Sequence, residues 1–249
     1  MRQYGLLGYP LSHSFSKGYF TEKFRKEGIA AAYENFALPS IEELPELIAY
    51  SPFLAGLNVT IPYKQAVIPY LDALDPVAEA VGAVNVVRII RSGDDLRLVG
   101  YNSDVVGFRE SIRPLVAALG SEPLKALVLG TGGASKAIVY GLRQLGVEPL
   151  LVSRQAGLGQ LSYEQLKPAF YKEYRIIVNT TPLGMSPKVD ACPPLDYSLL
   201  GPEHLLFDAV YNPEKTLFLQ KGEAMGSTIK NGLEMLHLQA EAAWDIWNT

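Results

Sequence analysis

Four polar clusters in the first 104 residues stand at the ends of apolar segments. They are Ser12-His13-Ser14-Phe15-Ser16 after LLGYP, Asn58-Val59-Thr60 to Lys64 after LAGL, Asn85 in GAVNVV, and Asn102-Ser103-Asp104. Open α/β sheets usually bind their ligands at the ends of strands. Hydroxyls, amides, one ammonium and one carboxylate would suit a small polyhydroxylated acid.

Each of these residues also has a purely structural explanation. Asn58 and Asn85 could satisfy buried backbone groups. Ser103 or Asp104 could cap the helix that follows. Lys64 is the only lysine between Lys26 and Lys125, and it could lay its aliphatic stem on apolar surface with the ammonium in water. Taken one at a time, the residues leave both explanations open.

A glycine-rich turn, LVLGTGGASKAI, joins a strand-like segment to a helix-like one. Gly130, Gly132 and Gly133 would let the backbone approach a pyrophosphate, whose charge would meet the amides of the helix N-terminus. The spacing departs from the full G-x-G-x-x-G pattern, so a tight turn without a ligand is the alternative. The order of strand, loop and helix favours a dinucleotide.

The end of the next strand bears on which dinucleotide would bind. An Asp or Glu about 20 residues after the loop would bind a ribose 2′-hydroxyl, but this chain has Ser153 and Arg154 in LLVSRQ. A guanidinium group offers a planar fork of donors to a 2′-phosphate. We therefore favour NADP over NAD, with a solvated loop arginine as the alternative explanation of Arg154.

Short apolar runs alternate with segments of helical period along the chain, which predicts an α/β fold of two domains with mainly parallel sheets. The first domain, residues 1–103, is expected to contain a hairpin of VNVVRII and LRLVGY and helix caps at Ser40 and Asp75. A second domain, residues 104–232, has the strand series of a doubly wound, Rossmann-like sheet. We expect the final helix, within residues 233–249, to pack back on the first domain. The predicted strands are YGLLGY, AAYENFAL and LAGLNVTI, then KALVLG, PLLVS, RIIVNT, LLFDAV and STIK.

Composition excludes several classes of protein. With 48% hydrophobic residues the chain can bury a core, and a net charge of -4 offers no basic surface to nucleic acid. The single cysteine, Cys192, excludes an intramolecular disulfide and lacks the pattern of a metal site. No apolar run suits a signal peptide or a membrane span. We expect a cytoplasmic protein that binds small molecules, without a metal and as a monomer or homodimer.

Seven motifs occur in the order and approximate spacing of one known family. They are GLNVTIPYK, GAVN, YNSD, LGTGGASKA, NTTPLGM, DAVYNP and GLEML with Gln239 three residues later. Together they resemble the shikimate dehydrogenase family over essentially the whole chain. The resemblance implies a substrate-binding catalytic domain (1–103, completed by 233–249) and an NADP-binding domain (104–232). It also implies the NADPH-dependent reduction of 3-dehydroshikimate to shikimate, a step in the biosynthesis of chorismate and aromatic amino acids.

The resemblance also implies a role for each matching residue. Lys64 and Asp104 would be the catalytic pair, in which the ammonium supplies the proton and the carboxylate orients it. Substrate contacts would come from Ser14, Ser16, Asn58, Thr60, Asn85, Tyr211 and Gln239. The cofactor would be held by Gly130, Gly132, Gly133, Ala134, Ser153, Arg154, Thr180 and Gly232.

Two stretches depart from the family pattern. The family usually follows its second serine with a proline and soon a histidine and asparagine, whereas Ser16 is followed by Lys17-Gly18-Tyr19-Phe20. The family usually reads NRT where this chain has SRQ, which keeps Arg154 but loses polar neighbours. The segment from there to Tyr174 is short, with one brief helix predicted at Ser162-Tyr163-Glu164-Gln165.

Two other functions stay open at this point. One is a quinate or shikimate dehydrogenase that accepts NAD. The other is a cofactor-sensing regulatory protein on the same scaffold, which should have lost the Lys64 and Asp104 pair. Both residues are present, which favours an enzyme.

Overall fold

The computed structural model describes residues 1–11, 15–93, 95–120 and 122–249. These residues divide into two units, Met1–Ser103 with Ala240–Thr249, and Asp104–Gln239. Each unit has its own mainly parallel sheet flanked by helices. The α/β fold class predicted from the alternation of apolar and helical segments is confirmed.

The first unit is a mixed sheet with strand order β2-β1-β3-β5-β6-β4. Parallel pairing joins β1 to β2 and β3, and β4 to β6, whereas β5 runs antiparallel to both β3 and β6. The strands are β1 (Arg2–Gly8), β2 (Ala31–Ala37), β3 (Leu54–Val59), β4 (Ala73–Leu74), β5 (Val86–Ser92) and β6 (Asp95–Tyr101). The helices are α1 (Phe15–Glu27), α2 (Leu44–Tyr50), α3 (Tyr63–Ala66) and α4 (Pro76–Val81), with 3₁₀ turns at Ile41–Glu43 and Ile68–Tyr70.

The two helix caps and the hairpin that the sequence predicts for the first unit are present. Ser40 Oγ accepts a hydrogen bond from the amide of Glu42 (3.2 Å), and Glu43 Oε1 accepts one from the amide of Ser40 (3.3 Å). Asp75 Oδ1 caps α4 by accepting from the amide of Val77 (2.9 Å). The predicted hairpin is also present, with Ser92 paired to Asp95 beside Gly93, whose φ is +60°.

The second unit has strand order β12-β11-β10-β7-β8-β9, and all of its pairs are parallel. This is the order of a doubly wound sheet, in which the chain reverses direction between β7 and β10 and leaves a crevice at the carboxyl ends of those strands. The strands are β7 (Lys125–Leu129), β8 (Glu148–Ser153), β9 (Gln160–Ser162), β10 (Ile176–Asn179), β11 (Leu205–Asp208) and β12 (Thr228–Lys230). The helices are α5 (Asp104–Ala118), α6 (Gly133–Gln144), α7 (Pro168–Glu173), α8 (Leu217–Ala224) and α9 (Leu233–Asn248), and 3₁₀ turns lie at Tyr163–Gln165 and Tyr197–Leu199.

The last part of α9, from Ala240 onward, belongs to the first unit. There Ala240, Ala243 and Trp247 share a buried cluster with Tyr4 and Phe20. The indole Nε1 of Trp247 donates to the carbonyl oxygen of Val87 (3.1 Å). The end of the chain therefore supplies part of the core beside β1.

Two short strands, β4 and β9, were absent from the sequence prediction, because they are too short to show a period. The brief helix predicted at Ser162 is present as the 3₁₀ turn Tyr163–Gln165, with Gln165 Oε1 accepting from the amide of Ser162 (2.9 Å). Among the described residues, no helix is long and apolar enough to cross a membrane. The same residues include no group of three or more His, Cys, Asp or Glu that could hold a metal ion.

Replacement of Gly56 by alanine should destabilise the protein, because the indole of Trp247 lies directly against this glycine. An added Cβ would lie 2.3 Å from two atoms of that ring, and overpacking of this kind costs about 1–3 kcal/mol. The free energy of unfolding in urea measures the effect. Gly18→Ala is the matched control, since a Cβ at this exposed position in α1 meets nothing within 4 Å in the described structure and alanine is the better helix former. Equal stability of G56A and G18A would contradict the prediction.

Candidate active site

Three of the polar clusters, at residues 58–60, Asn85 and residues 102–103, converge at one edge of the sheet of the first unit. The amide of Thr60 donates to the carbonyl oxygen of Leu7 (2.9 Å), and the amide of Val59 donates to that of Asn85 (2.8 Å). Because β5 is antiparallel to its neighbours, it begins where β3 ends and where β6 ends. The structure thus brings Thr60, Asn85 and the 102–103 segment together.

Asn85 is buried and bonds to Ser103 in two ways. Its Nδ2 donates to Ser103 Oγ (3.0 Å), and its Oδ1 accepts from the amide of Ser103 (2.7 Å). Asn102, also buried, donates from Nδ2 to the carbonyl oxygen of Ala83 (2.8 Å). Asn85 therefore satisfies a buried backbone group, the amide of Ser103, as the structural explanation of this residue expects. A contact between Asn85 and a substrate stays a prediction.

Lys64 lies in the short helix α3, which begins after Pro62, and it is half-buried. Its carbonyl oxygen accepts from the amide of Val84 (2.7 Å). On the other side, the hydroxyl of Tyr63 donates to the carbonyl oxygen of Leu38 (2.6 Å). These two bonds fix the backbone from which the ammonium group extends, next to the segment that carries Asn85.

Asn58, in β3, is only 4% exposed. Its Oδ1 accepts a hydrogen bond of 2.7 Å from the hydroxyl of Tyr33. Burial raises the pKa of Tyr33, and a hydrogen bond from the side chain of Ser16 partly offsets this. The sequence reasoning missed Tyr33, although a buried tyrosine in a predicted strand must find a partner for its hydroxyl.

The residues after Ser16 that depart from the family pattern have partners of their own within the first unit. Lys17 pairs with Glu34 of β2 (2.7 Å), and the Tyr19 hydroxyl donates to Glu241 of α9. Phe20 is fully buried and stacks on Tyr33, with ring centroids 4.8 Å apart. Ser16 is the second residue of α1, and Ser14 lies outside the described residues.

In the second unit, the glycine-rich turn leads from β7 into α6 beside the loop that follows β10. Gly130 has φ +110°, and a Cβ there would lie 2.6 Å from Thr180 Oγ1, which itself donates to the carbonyl oxygen of Leu129 (2.7 Å). Gly132 is the N-cap of α6, and a Cβ on it would meet no described atom within 4 Å. The cap residue therefore has no side chain that could cover the first amides of α6, at Gly133 and Ala134. These features fit the pyrophosphate of a dinucleotide.

Ser153 is the last residue of β8, and Arg154 begins the turn that follows. Ser153 Oγ donates to the carbonyl oxygen of Gln155 (2.5 Å) and accepts from its amide (3.3 Å). Burial raises the pKa of Tyr163 to about 12, although the nearby positive charge of Arg154 acts to lower it. Arg154 is exposed, and its contact with a cofactor stays a prediction.

A buried carboxylate ties together the loops after β10 and β11. Asp208 is 0% exposed and accepts hydrogen bonds from Asn179 Nδ2 (2.9 Å), Thr216 Oγ1 (2.5 Å) and the amide of Val210 (3.0 Å). Asn179 Oδ1 in turn accepts from the amide (3.0 Å) and hydroxyl (2.7 Å) of Thr181. Only the occurrence of an acid inside the apolar run LLFDAV signals this network in the sequence.

The remaining candidates of the second unit lie in the loops after β11 and β12 and in the helices α5 and α9. Tyr211 is 40% exposed, and the amide of Gly232 donates to the carbonyl oxygen of Val210 (3.2 Å). Gln239 is buried in α9 and donates to the carbonyl oxygen of Leu236 (3.0 Å). Asp104 is the buried first residue of α5. Its pairing with Lys64 stays a prediction.

The buried carboxylate of Asp208 should make stability depend on pH. Burial raises its pKa from 3.8 to about 6, so the folded protein binds the proton more tightly than the unfolded chain does, and ionisation costs stability as the pH rises from about 4 to about 6. Relative to Asp208→Asn, the unaltered protein should gain up to about 3 kcal/mol between pH 7 and pH 4. Urea unfolding of both proteins at several pH values measures this difference, and a difference that grows toward high pH would contradict it.

Comparisons with known proteins agree with the fold and the motifs. A family model described as the shikimate dehydrogenase substrate binding domain matches residues 6–87. The shikimate dehydrogenase (NADP(+)) of Clostridium beijerinckii is 38% identical, with 99% of this chain and 92% of that protein covered. That of Desulforamulus reducens is 34% identical, with 98% and 88% covered.

Solved structures with the same architecture include two with bound ligands. Shikimate 5-dehydrogenase from Thermus thermophilus, in complex with NADP(H) and shikimate, has a TM-score of 0.85 and 31% identity, with 99% of this chain and 93% of that chain covered. Quinate dehydrogenase from Corynebacterium glutamicum, in complex with NAD, has a TM-score of 0.86 and 26% identity, again with 99% and 93% covered. Similarity over nearly the full length, at more than 30% identity to the curated relatives, means that this chain belongs to the shikimate dehydrogenase family.

Proposed function

We propose that this protein catalyses the NADPH-dependent, reversible reduction of 3-dehydroshikimate to shikimate. The observation that carries the proposal is the convergence of hydroxyl, amide and ammonium-bearing segments at one edge of the first sheet, where Val59, next to Thr60, hydrogen-bonds to Asn85. The names of the relatives, shikimate dehydrogenase (NADP(+)), support the same reaction.

The reduction of a ketone needs a hydride at carbon and a proton at the oxygen on which negative charge develops. When bound, NADPH supplies the hydride. Lys64 supplies the proton and stabilises the developing charge, since an ammonium group can do both. Asp104 orients that ammonium and compensates its charge. The fixed backbone around Lys64 supports this role, because a proton donor acts only within hydrogen-bond reach of the reacting oxygen.

Substrate recognition uses the polar groups of a cyclic hydroxy acid. Ser14 and Ser16 bind the carboxylate. The ring and its hydroxyls contact Asn58, Thr60, Asn85, Tyr211 and Gln239. Donors and acceptors of these types match the carboxylate and hydroxyl groups of shikimate.

Cofactor binding uses the glycine turn and the turn after β8. Gly130, Gly132, Gly133 and Ala134 approach the pyrophosphate, and Ser153 and Arg154 bind the 2′-phosphate. Thr180 and Gly232 lie toward the nicotinamide. The capping glycine of α6 and the exposed guanidinium of Arg154 support this assignment.

We further propose that the enzyme is cytoplasmic and that it is a monomer or homodimer. Light scattering after gel filtration would determine the oligomeric state.

A quinate or shikimate dehydrogenase that uses NAD is the second candidate. It is favoured by the TM-score of 0.86 to the quinate dehydrogenase solved with NAD and by the SRQ sequence at the proposed 2′-phosphate site. Comparison of kcat/KM for shikimate and quinate, each with NADP⁺ and NAD⁺, separates the two functions. A regulatory protein without catalysis has no such support, since Lys64 and Asp104 are both retained.

Loss of NADPH absorbance on addition of 3-dehydroshikimate tests the proposed reaction, and Lys64→Ala tests the proton donor. Loss of a general acid should cut turnover at least about a hundredfold with a much smaller change in KM. Lys26→Ala is the control, because this exposed lysine pairs with Glu22 (3.3 Å) on the surface of α1. Near-normal turnover of K64A would remove Lys64 from the chemistry. Absence of any absorbance change in the unaltered protein, with NADPH or NADH, would refute the reaction itself.

Arg154→Ala should weaken the use of NADPH and leave the use of NADH unchanged. A hydrogen bond to a charged group is worth about 1.5–3 kcal/mol, so kcat/KM for NADPH should fall about tenfold to a hundredfold. Arg154→Lys should have an intermediate effect, since lysine keeps the charge but loses the planar fork. Equal losses with both cofactors would show that Arg154 does not read the 2′-phosphate.

A further inference from the structure

Asp208 is the last residue of β11, the middle strand of one half of the second sheet. Strand β11 pairs with β10 on one side and with β12 on the other. The loops after these three strands carry Thr180, Tyr211 and Gly232, to which the proposed function gives contacts with the nicotinamide or the substrate. The candidates for the pyrophosphate and the 2′-phosphate lie instead at the ends of β7 and β8, beyond the point where the strand order reverses.

The side chain of Asn179, the last residue of β10, shapes the loop that contains Thr180. Its Oδ1 accepts hydrogen bonds from the amide (3.0 Å) and the hydroxyl (2.7 Å) of Thr181. The Thr181 hydroxyl accepts in turn from the amide of Leu183 (3.3 Å). Thr180 donates from its amide (2.9 Å) and its hydroxyl (2.7 Å) to the carbonyl oxygen of Leu129. The turn after β10 therefore depends on the orientation of the Asn179 amide group.

The carboxylate of Asp208 fixes that orientation. A backbone N–H only donates, so the atom of Asn179 that faces the amide of Thr181 must be its oxygen. The other end of the group, Nδ2, then donates to Asp208 Oδ1 at 2.9 Å. The reverse orientation would lose both bonds, because an ionised carboxylate only accepts. Burial raises the pKa of Asp208 to about 6, although its hydrogen bonds act to lower it, so the group is mostly ionised at pH 7 and above.

The same carboxylate also holds the loop after β11. Its Oδ1 accepts from the amide of Val210 (3.0 Å), the residue before Tyr211. The carbonyl oxygen of Val210 accepts from the amide of Gly232 (3.2 Å) in the loop after β12. Asp208 Oδ2 accepts from the hydroxyl of Thr216 (2.5 Å), the N-cap of α8. One buried carboxylate thus links the loops after β10, β11 and β12.

We propose that Asp208 is a positioning residue for the nicotinamide: through Asn179 and Val210 it sets the conformation of the loops that hold the ring for hydride transfer. This role rests on the proposed function, which places Thr180 and Gly232 toward the nicotinamide. It concerns that half of the cofactor alone, because the hydrogen-bond partners of Asp208 in the described structure all lie at the end of β10 or after β11.

The substitution Asp208→Ala tests the role by removing the acceptor that orients Asn179 and Val210. Single turnovers with saturating 3-dehydroshikimate measure the step itself. The rate of NADPH oxidation should fall at least about tenfold, since a misplacement of about 1 Å at the reacting groups costs about a hundredfold.

Calorimetry supplies a measurement that does not depend on activity. In D208A, Kd for NADP⁺ should rise about twofold to tenfold, the factor for one neutral hydrogen bond. Kd for 2′,5′-ADP should stay unchanged, because this molecule keeps the adenine and the 2′-phosphate but has no nicotinamide. A loss of folded protein would instead weaken the apparent binding of both molecules.

Asp208→Asn is the conservative variant. The side-chain oxygen of the new residue can still accept from Asn179 and Val210, and its nitrogen can donate to the hydroxyl of Thr216, which is able to accept. D208N should therefore retain most of the single-turnover rate and of the affinity for NADP⁺.

Asn179→Ala removes the group through which Asp208 acts. N179A should reproduce the slow single turnover and the selective loss of NADP⁺ affinity, and it serves as the test even if D208A does not fold. In the N179A background, Asp208→Ala should lower the rate by a smaller factor than in the unaltered protein.

His204→Ala is the matched control, because His204 lies just before β11, at the opposite end of the same strand. It is 1% exposed, its Nδ1 accepts from the amide of Gly201 (3.0 Å), and its Nε2 is 2.7 Å from the carbonyl oxygen of Tyr171. H204A therefore also breaks buried hydrogen bonds, but it touches none of the three loops. Its single-turnover rate and both Kd values should match those of the unaltered protein, and urea unfolding compares the stability of all variants.

Four outcomes would each overturn the inference: an unchanged rate in D208A or N179A, equal effects of D208A and H204A, equal rises of Kd for NADP⁺ and 2′,5′-ADP, or a D208N protein as slow as D208A. Absence of turnover by the unaltered protein would instead overturn the proposed function, and this inference would fall with it.

Discussion

The antiparallel insertion of β5 is the constraint on which the first unit's candidate site depends. In a purely parallel sheet, β5 would begin at the edge opposite to the end of β3. Here the register pairs Asn58 with Val86 and Val86 with Tyr101, so residues before β5 and after β6 meet the residues after β3. A hydrogen bond from the amide of Val59 to the carbonyl oxygen of Asn85 joins two of these segments at that edge. Polar groups that are far apart in the chain thereby share one small surface.

Buried polar groups make a second level of organisation. Asp208 and Tyr33 each lie out of water and bind partners on neighbouring elements. Burial of such groups costs free energy unless they are hydrogen-bonded, and removal of one partner leaves the other unsatisfied. Apolar side chains would stabilise the same positions at lower cost. Retention of polar groups there fits a requirement for fixed orientation in the loops and side chains nearby.

Local signals in the sequence predicted much of the fold. The apolar runs predicted the longer strands, and the caps at Ser40 and Asp75 needed only residues within three positions. The partners of Tyr33 and Asp208 could not be predicted this way, because Asn58 and Asn179 lie 25 and 29 residues away and meet them only through strand pairing. The departure after Ser16 was visible, but Glu34 and Glu241, which bind the residues there, could not be identified in advance. Roles of individual site residues come from the resemblance to the family.

The division of α9 between the units affects the order in which the chain can fold. Ala240, Ala243 and Trp247 complete the cluster that contains Tyr4 and Phe20, and they follow the whole of the second unit in the chain. Domains generally fold during synthesis from the N-terminus onward. Here the second unit can assemble while the first still exposes apolar surface along β1. The first unit thus cannot complete its core until the second unit has been synthesised, and until then a chaperone has an apolar surface to bind.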